Sequence, residues 1–245
     1  MNDDPELHTA WQSIGLHLIP GALTTVVYFA IAPAVTAAGY PPLFALLLCI
    51  LVVLLPVELA ILFLEGRRLN GRLSLEGIVL NREPIPVWQY FVIVPILFIW
   101  LGLAFTQLGA VDNFLARAIF PWVPAWAMPA ALAVDVTRYS HTALLWTAFL
   151  GLLLNGILGP AVEELYFRGY LLPRISSSPG WAPLINALLF SFYHFFSPWQ
   201  NVTRIVGLIP LVYAVSWKRN LYLGMFTHIL GNTIGMVGLL AAVLH

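Results

Sequence analysis

Gly159-Pro160-Ala161-Val162-Glu163-Glu164-Leu165-Tyr166-Phe167-Arg168 decides how this chain is read. An uncharged run from Tyr139 to Val162 leads straight into it. Two adjacent carboxylates and an arginine therefore end a stretch long enough to cross a bilayer, which takes about 20 mostly apolar residues. Ionisable groups inside a membrane cost ~2.5–3.5 kcal/mol even on lenient scales and are functional candidates by default.

The rest of the chain supplies the same context. Of 245 residues, 60% are hydrophobic and 9% charged, and eleven Lys+Arg balance eleven Asp+Glu. Mean hydropathy is +0.88. Soluble domains carry roughly 25% charged residues, so this composition excludes a soluble enzyme, a disordered chain and a nucleic-acid binder with a basic face. The single cysteine, Cys49, lies in an apolar run and supports neither a disulfide framework nor a Cys-based metal site.

The expected fold is an all-α polytopic bundle of about seven spans. No formal charge occurs between Glu6 and Glu58, and Gly39-Tyr40-Pro41-Pro42 breaks that run into spans near 15–38 and 43–64. A polar loop over 65–87 follows, then spans near 88–107, 139–162, 181–196, 200–217 and from Leu221 to the end. In the sixth, Arg204 would snorkel outward. Pro121, Pro124 and Pro129 with Trp122 and Trp126 make 109–140 interfacial or re-entrant. An eighth span at 118–134 would move Arg168, Arg174, Lys218 and Arg219 to the side opposite the basic 65–87 loop, which favours seven. Seven spans place these basic turns together, cytoplasmic by the positive-inside rule, with the N-terminus. The acidic start, Met1 to Glu6, lacks the basic n-region of a cleavable signal peptide. The organisation expected is a cytoplasmic segment 1–14, a transmembrane region 15–140 and a second transmembrane region 141–245.

Polar residues concentrate in that last region. Glu164 and Arg168 are four apart and share a helix face, where they can pair. Glu163 is rotated about 100° from Glu164, free to face a cavity. Phe190 and His194, and His228 and Asn232, repeat the four-residue spacing. Antiparallel packing brings Glu163, His194 and His228 to similar depth, roughly 12–22 Å from the cytoplasmic helix ends, in a site open to that side. Peptide hydrolysis needs an activated water, a proton carrier and oxyanion donors, and Glu163, His194, His228 and Asn232 supply these chemical types.

Glu-Glu-x-x-x-Arg at 163–168, Phe-x-x-x-His at 190–194 and His-x-x-x-Asn at 228–232 resemble the three motifs of the CPBP intramembrane proteases, also called the type II CAAX prenyl endopeptidase or Abi family. The resemblance covers about 141–244. It implies an intramembrane endopeptidase of the inner or plasma membrane if bacterial, acting on a membrane protein or lipidated peptide. By that analogy Glu163 activates water with His194, His228 and Asn232 stabilise the oxyanion, and Glu164 with Arg168 braces the site. The family is often labelled metalloprotease. Without a His-Glu-x-x-His pair no cofactor is favoured here, although two histidines and a glutamate would also suit Zn²⁺.

Plainer readings compete. A lone intramembrane histidine usually bonds a neighbouring helix, Glu164–Arg168 is first an ion pair, and Phe190 is packing. Glu58 is a substrate contact or a polar partner to another helix, Asn155 and Asn186 bridge helices, and His8, His17, His141 and His245 need no function. A proton-coupled transporter or a non-proteolytic immunity scaffold could use the same residues, but the repeated halves of a transporter are not visible.

Overall fold

The computed structural model describes residues 5–127, 134–178 and 180–245. Among them the fold is all-helical, with two isolated bridges, His8 to Ile175 and Arg82 to Asn220, in place of strands. We number the helices α1 (Ala10–Ala37), α2 (Pro42–Asn70), α3 (Val87–Gln107), α4 (Gly109–Ala118), α5 (His141–Arg174), α6 (Ala182–Tyr193), α7 (Asn201–Lys218) and α8 (Leu221–Leu244). Five of them, α1, α2, α3, α5 and α8, are long and apolar enough to cross a membrane.

Boundaries follow local chemistry. Thr9 and Gln12 form a capping box that starts α1 five residues before the expected span. The expected 65–87 loop is shorter than its charge suggests. α2 runs on to Asn70 with Arg67 and Arg68 in its last turn, where cations suit the helix dipole, and ends at Gly71 with φ 68°. α5 likewise passes Glu163 and continues to Arg174. α6 has only 12 residues, ~18 Å at 1.5 Å per residue. It stops at Tyr193, and the chain turns back through His194–Gln200 into α7, where the sequence suggested two full crossings. α4 and a short turn at Ala125–Ala127 occupy the 109–140 segment. The stretch 118–134 considered as an eighth span lies partly outside the described residues.

Prolines tie the bundle together. A proline lacks the N–H that would bond the carbonyl four residues back. Pro20 frees the Leu16 carbonyl, and the Tyr166 hydroxyl of α5 donates to it at 2.8 Å. Pro210 frees the Val206 carbonyl, and Trp100 Nε1 of α3 donates to it at 3.0 Å. Pro160 leaves Gly156 and Asn155 carbonyls to Thr233 Oγ1 at 3.2 Å and Asn232 Nδ2 at 3.0 Å, both from α8. These three breaks in helix ladders thus become interhelical bonds, the arrangement apolar surroundings require. α8 packs on α5 and α3, α7 on α6 and α3, and α1 on α2 and α6.

One end of the bundle is sewn by the basic segments. Arg174 donates to the Gly77, Ile78 and Tyr170 carbonyls, and Asn81 Nδ2 donates to the Arg168 carbonyl. Asn220 Nδ2 holds the Glu83 carbonyl at 2.7 Å, and the His8 amide bonds the Arg174 carbonyl at 2.8 Å. The N-terminal segment, the 71–86 loop and the α7–α8 turn therefore share this end, as their charge pattern suggests.

Candidate active site

Glu163 closes a short α-helical stretch, Gly159–Glu163, between two wider π-helical stretches, Gly151–Leu158 and Glu164–Leu171. Wide turns of this kind recur at functional sites. Glu163 and Glu164 diverge as helix geometry requires. Glu163 lines a cavity, whereas Glu164 has no exposure at all. Glu164 reaches Arg168 Nε through Oε2 at 3.4 Å and His228 Nδ1 through Oε1 at 3.1 Å. It is shared between an arginine and a histidine rather than committed to Arg168 alone. Gly224 makes this close approach to α8 available, because a Cβ there would run into Glu164 Oε2. The Arg168 guanidinium makes no hydrogen bond and lies 4.1 Å from the centre of the Phe190 ring, a cation–π contact. Phe190 is more than packing.

His228 stands between the two glutamates. Its Nε2 lies 3.7 Å from Glu163 Oε2, opposite the Glu164 contact. His194 follows the last residue of α6, and its Nδ1 is 2.9 Å from the Phe190 carbonyl. A carbonyl only accepts, so that nitrogen carries the proton and Nε2 keeps a lone pair. Asn232 spends one amide hydrogen on the Asn155 carbonyl. His194 and Asn232 line the same cavity as Glu163 and His228, but neither hydrogen-bonds to them.

The cavity has a volume of about 240 Å³. Leu46, Ile50, Leu101 and Phe105 form apolar wall, and Gln200, Arg204 and Asn232 form polar wall. From Glu163 these residues extend away from the sewn basic end, contrary to the expected opening on that side. Toward that end the space is filled. His17 is wholly buried, bonded to the Ser13 carbonyl and to Asn186, which also donates to the Phe167 carbonyl at 3.0 Å. His17 and Asn186 are core bridges.

Two further residues complete the site. The Tyr193 hydroxyl lies 2.9 Å from Glu163 Oε1 and 3.0 Å from Glu58 Oε1, joining α6 to both α5 and α2. Its position beside His194 is the only local signal, since a tyrosine in an apolar helix otherwise reads as packing. Arg204 does not snorkel outward. It is buried, with Nη2 on Ser197 Oγ at 2.8 Å and Gln200 Oε1 at 3.1 Å, and Nη1 on Asn201 Oδ1 at 3.3 Å. The polar residues three, four and seven positions before it were a legible signal for an inward arginine.

A model of the family described as Type II CAAX prenyl endopeptidase Rce1-like matches residues 144–234. This region is Rce1-like. The match bears out the resemblance carried by the three motifs, and with the long apolar helices it supports a multi-pass integral membrane protein with a region similar to that endopeptidase family. The Rce1-like region runs from α5 into α8, taking in Glu163, His194, His228 and Asn232, and leaves α1, α2 and α3 outside. No curated protein and no solved structure matches the chain.

The ring nitrogens and carboxylate oxygens of the Rce1-like region divide between internal partners and the cavity. Among the described residues no three His, Cys, Asp or Glu side chains converge to hold an ion. Glu163 Oε1 faces Tyr193, His228 Nδ1 faces Glu164, and His194 Nδ1 faces a carbonyl.

Proposed function

We propose that this protein is an intramembrane endopeptidase that hydrolyses a peptide bond of a membrane-associated, CAAX-type substrate with a glutamate-activated water. The observation that carries the reading is the placement of Glu163 at the cavity, with Oε1 held by Tyr193 and Oε2 turned to His228. One carboxylate oxygen is fixed and the other is available to a water. Glu163 takes the water's proton as the water attacks the carbonyl, and returns it to the leaving amine. His194 offers its free Nε2 as a second acceptor for that water. The free amide hydrogen of Asn232 and the His228 ring stabilise the oxyanion. Glu164 and Arg168 brace His228 from behind. No step is assigned to a metal.

The substrate class follows from the walls. Apolar side chains suit aliphatic residues or a lipid chain, and the buried cation of Arg204, bonded only to neutral oxygens, suits a chain end that carries a carboxylate. The long helices α1, α2, α3, α5 and α8 cross the bilayer, and α6 with α7 enters from the basic end and returns to it. This path has the same parity as seven crossings and keeps the N-terminus with the basic end, a side that the positive-inside rule favours as cytoplasmic.

Purified protein and its Glu163→Gln variant, given prenylated and unprenylated CAAX peptides with and without a strong chelator, test the proposal. Cleavage by the parent alone, unaffected by chelation, supports it. Chelator-sensitive cleavage restored by zinc would reassign Glu163, His194 and His228 as ligands.

A further inference from the structure

Glu58 is a buried acid that the proposed hydrolysis leaves unused. It comes from α2, outside the Rce1-like match. Its side chain has no exposure, Oε2 has no partner, and Oε1 meets only the Tyr193 hydroxyl. Among the described residues no Lys, Arg or His nitrogen lies within 4.0 Å of it, so it forms no ion pair. The titratable groups facing it are Glu163, Tyr166 and Arg168 from α5 and Tyr193 from α6. Arg168 already pairs with Glu164.

Counting protons on Tyr193 is decisive. A phenol has one hydrogen to donate and lone pairs to accept. Its oxygen sits at hydrogen-bond distance from two carboxyl oxygens, 2.9 Å to Glu163 and 3.0 Å to Glu58. If both carboxyl groups were ionised, one contact would set lone pair against lone pair without a hydrogen, in a site shielded from water. One of the two must therefore be the neutral acid, donating to the phenol, while the phenol donates to the other. Glu163 has His228 beside Oε2 to balance a negative charge, and Glu58 has no such neighbour.

We infer that Glu58 is a protonated carboxylic acid at neutral pH, a positioning residue that donates to Tyr193 and so makes Tyr193 donate to the ionised Glu163. The bonds run in one direction, from Glu58 through Tyr193 to Glu163, and each strengthens the next. With the proton on Glu163 instead, Tyr193 would donate to Glu58 and the base would be blocked. The inference rests on the proposed hydrolysis only for its consequence in rate. The protonation state is a property of the resting protein.

Infrared difference spectroscopy of the full chain in lipid nanodiscs, parent minus Glu58→Gln at neutral pH, reads that state directly. The expected difference contains the carbonyl stretch of a protonated carboxyl group belonging to Glu58. Loss of a carboxylate stretch instead would overturn the inference, whether or not the protein cleaves any peptide. Tyr193→Phe is the second variant. It should move the acid band to higher frequency, because the acid loses its acceptor, and an unmoved band counts against the bridge. Where a prenylated CAAX peptide is cleaved, Glu58→Gln, whose amide can still donate to Tyr193, should be roughly tenfold faster than Glu58→Leu, the worth of about one hydrogen bond. Equal rates would remove Glu58 from the positioning of Glu163.

Discussion

α2 and α5 each bury 44% of their most apolar window inside the protein, against 17% for α3 and α8. The two inward helices are built alike. α2 has a π-helical stretch at Ile50–Leu54, then Pro56, then Glu58. α5 has one at Gly151–Leu158, then Pro160, then Glu163. In both, a wide stretch and a proline disturb the ladder just before a buried glutamate, and the two glutamates meet on opposite sides of one tyrosine hydroxyl. They differ in what else they touch. Glu163 borders the cavity and a histidine, whereas Glu58 is sealed in with a single partner. The same local device therefore yields a reactive group in one helix and a supporting group in the other, and the neighbours make the distinction.

The largest effect that would test this division is on Glu163. Glu163→Gln should lower cleavage by ~10²–10⁴-fold, the usual cost of losing a general base, while the protein still inserts and melts as a folded species. Near-normal turnover of purified Glu163→Gln would make the two glutamates equivalent and remove the distinction.

Next comes the brace. Arg168→Ala leaves Glu164 buried without its cation, and breaking a buried pair costs ~3–5 kcal/mol. The double variant Glu164→Gln with Arg168→Met should recover part of that loss in thermal melts in detergent. Indistinguishable melts of single and double variants would show that the 3.4 Å contact is not a working pair.

A smaller effect probes the N-terminal half. A Cβ at Gly21 of α1 would collide with the Tyr193 carbonyl and ring. Gly21→Ala should push α1 off α6, at the ~1–3 kcal/mol typical of overpacking, and disturb the tyrosine between the glutamates. Unchanged stability would mean that α1 does not hold Tyr193 in place.

The smallest concerns the sewn end. Burial and then the nearby Arg174 hold His8 below its ordinary value near 6.5. The neutral ring is favoured in the folded state, so its contribution is present above that value and lost as pH falls below it. Protection factors against hydrogen exchange at residues 5–10, corrected for the intrinsic pH dependence of exchange, should fall between pH 7 and pH 5, and His8→Phe should flatten the change. An equal pH response in that variant would place the sensitivity elsewhere.

Five of the expected spans were legible because an apolar run of sufficient length needs no partner to be recognised, whereas the crossings expected at 181–196 and 200–217 are a 12-residue helix and its return. Glu163, Glu164, Arg168 and His228 were legible as a group because four-residue spacing fixes which side chains share a face. Glu58 was legible as a polar partner to another helix, but Tyr193 as that partner was not, since their meeting depends on two helices 135 residues apart packing together. Arg204 was misread because a short uncharged core suggested a helix end facing lipid headgroups, while Ser197, Gln200 and Asn201 provide it an inward seat. The opening of the cavity was misread for a related reason. Depth along a helix can be counted from the sequence, but which side is plugged depends on contacts such as His17 with Asn186.

The wide stretches of α5 bear on how chain length can vary. A turn closed over five residues holds one residue more than a turn closed over four. A single-residue deletion within Gly151–Leu158 can be absorbed by reversion to α geometry, with the segments on either side keeping their facing. The same deletion within Gly159–Glu163, already α-helical, has no such reserve and would turn Glu163 about 100° away from His228. Single deletions should therefore be tolerated within Gly151–Leu158 and lethal to the site within Gly159–Glu163, a contrast written into the helix by its geometry.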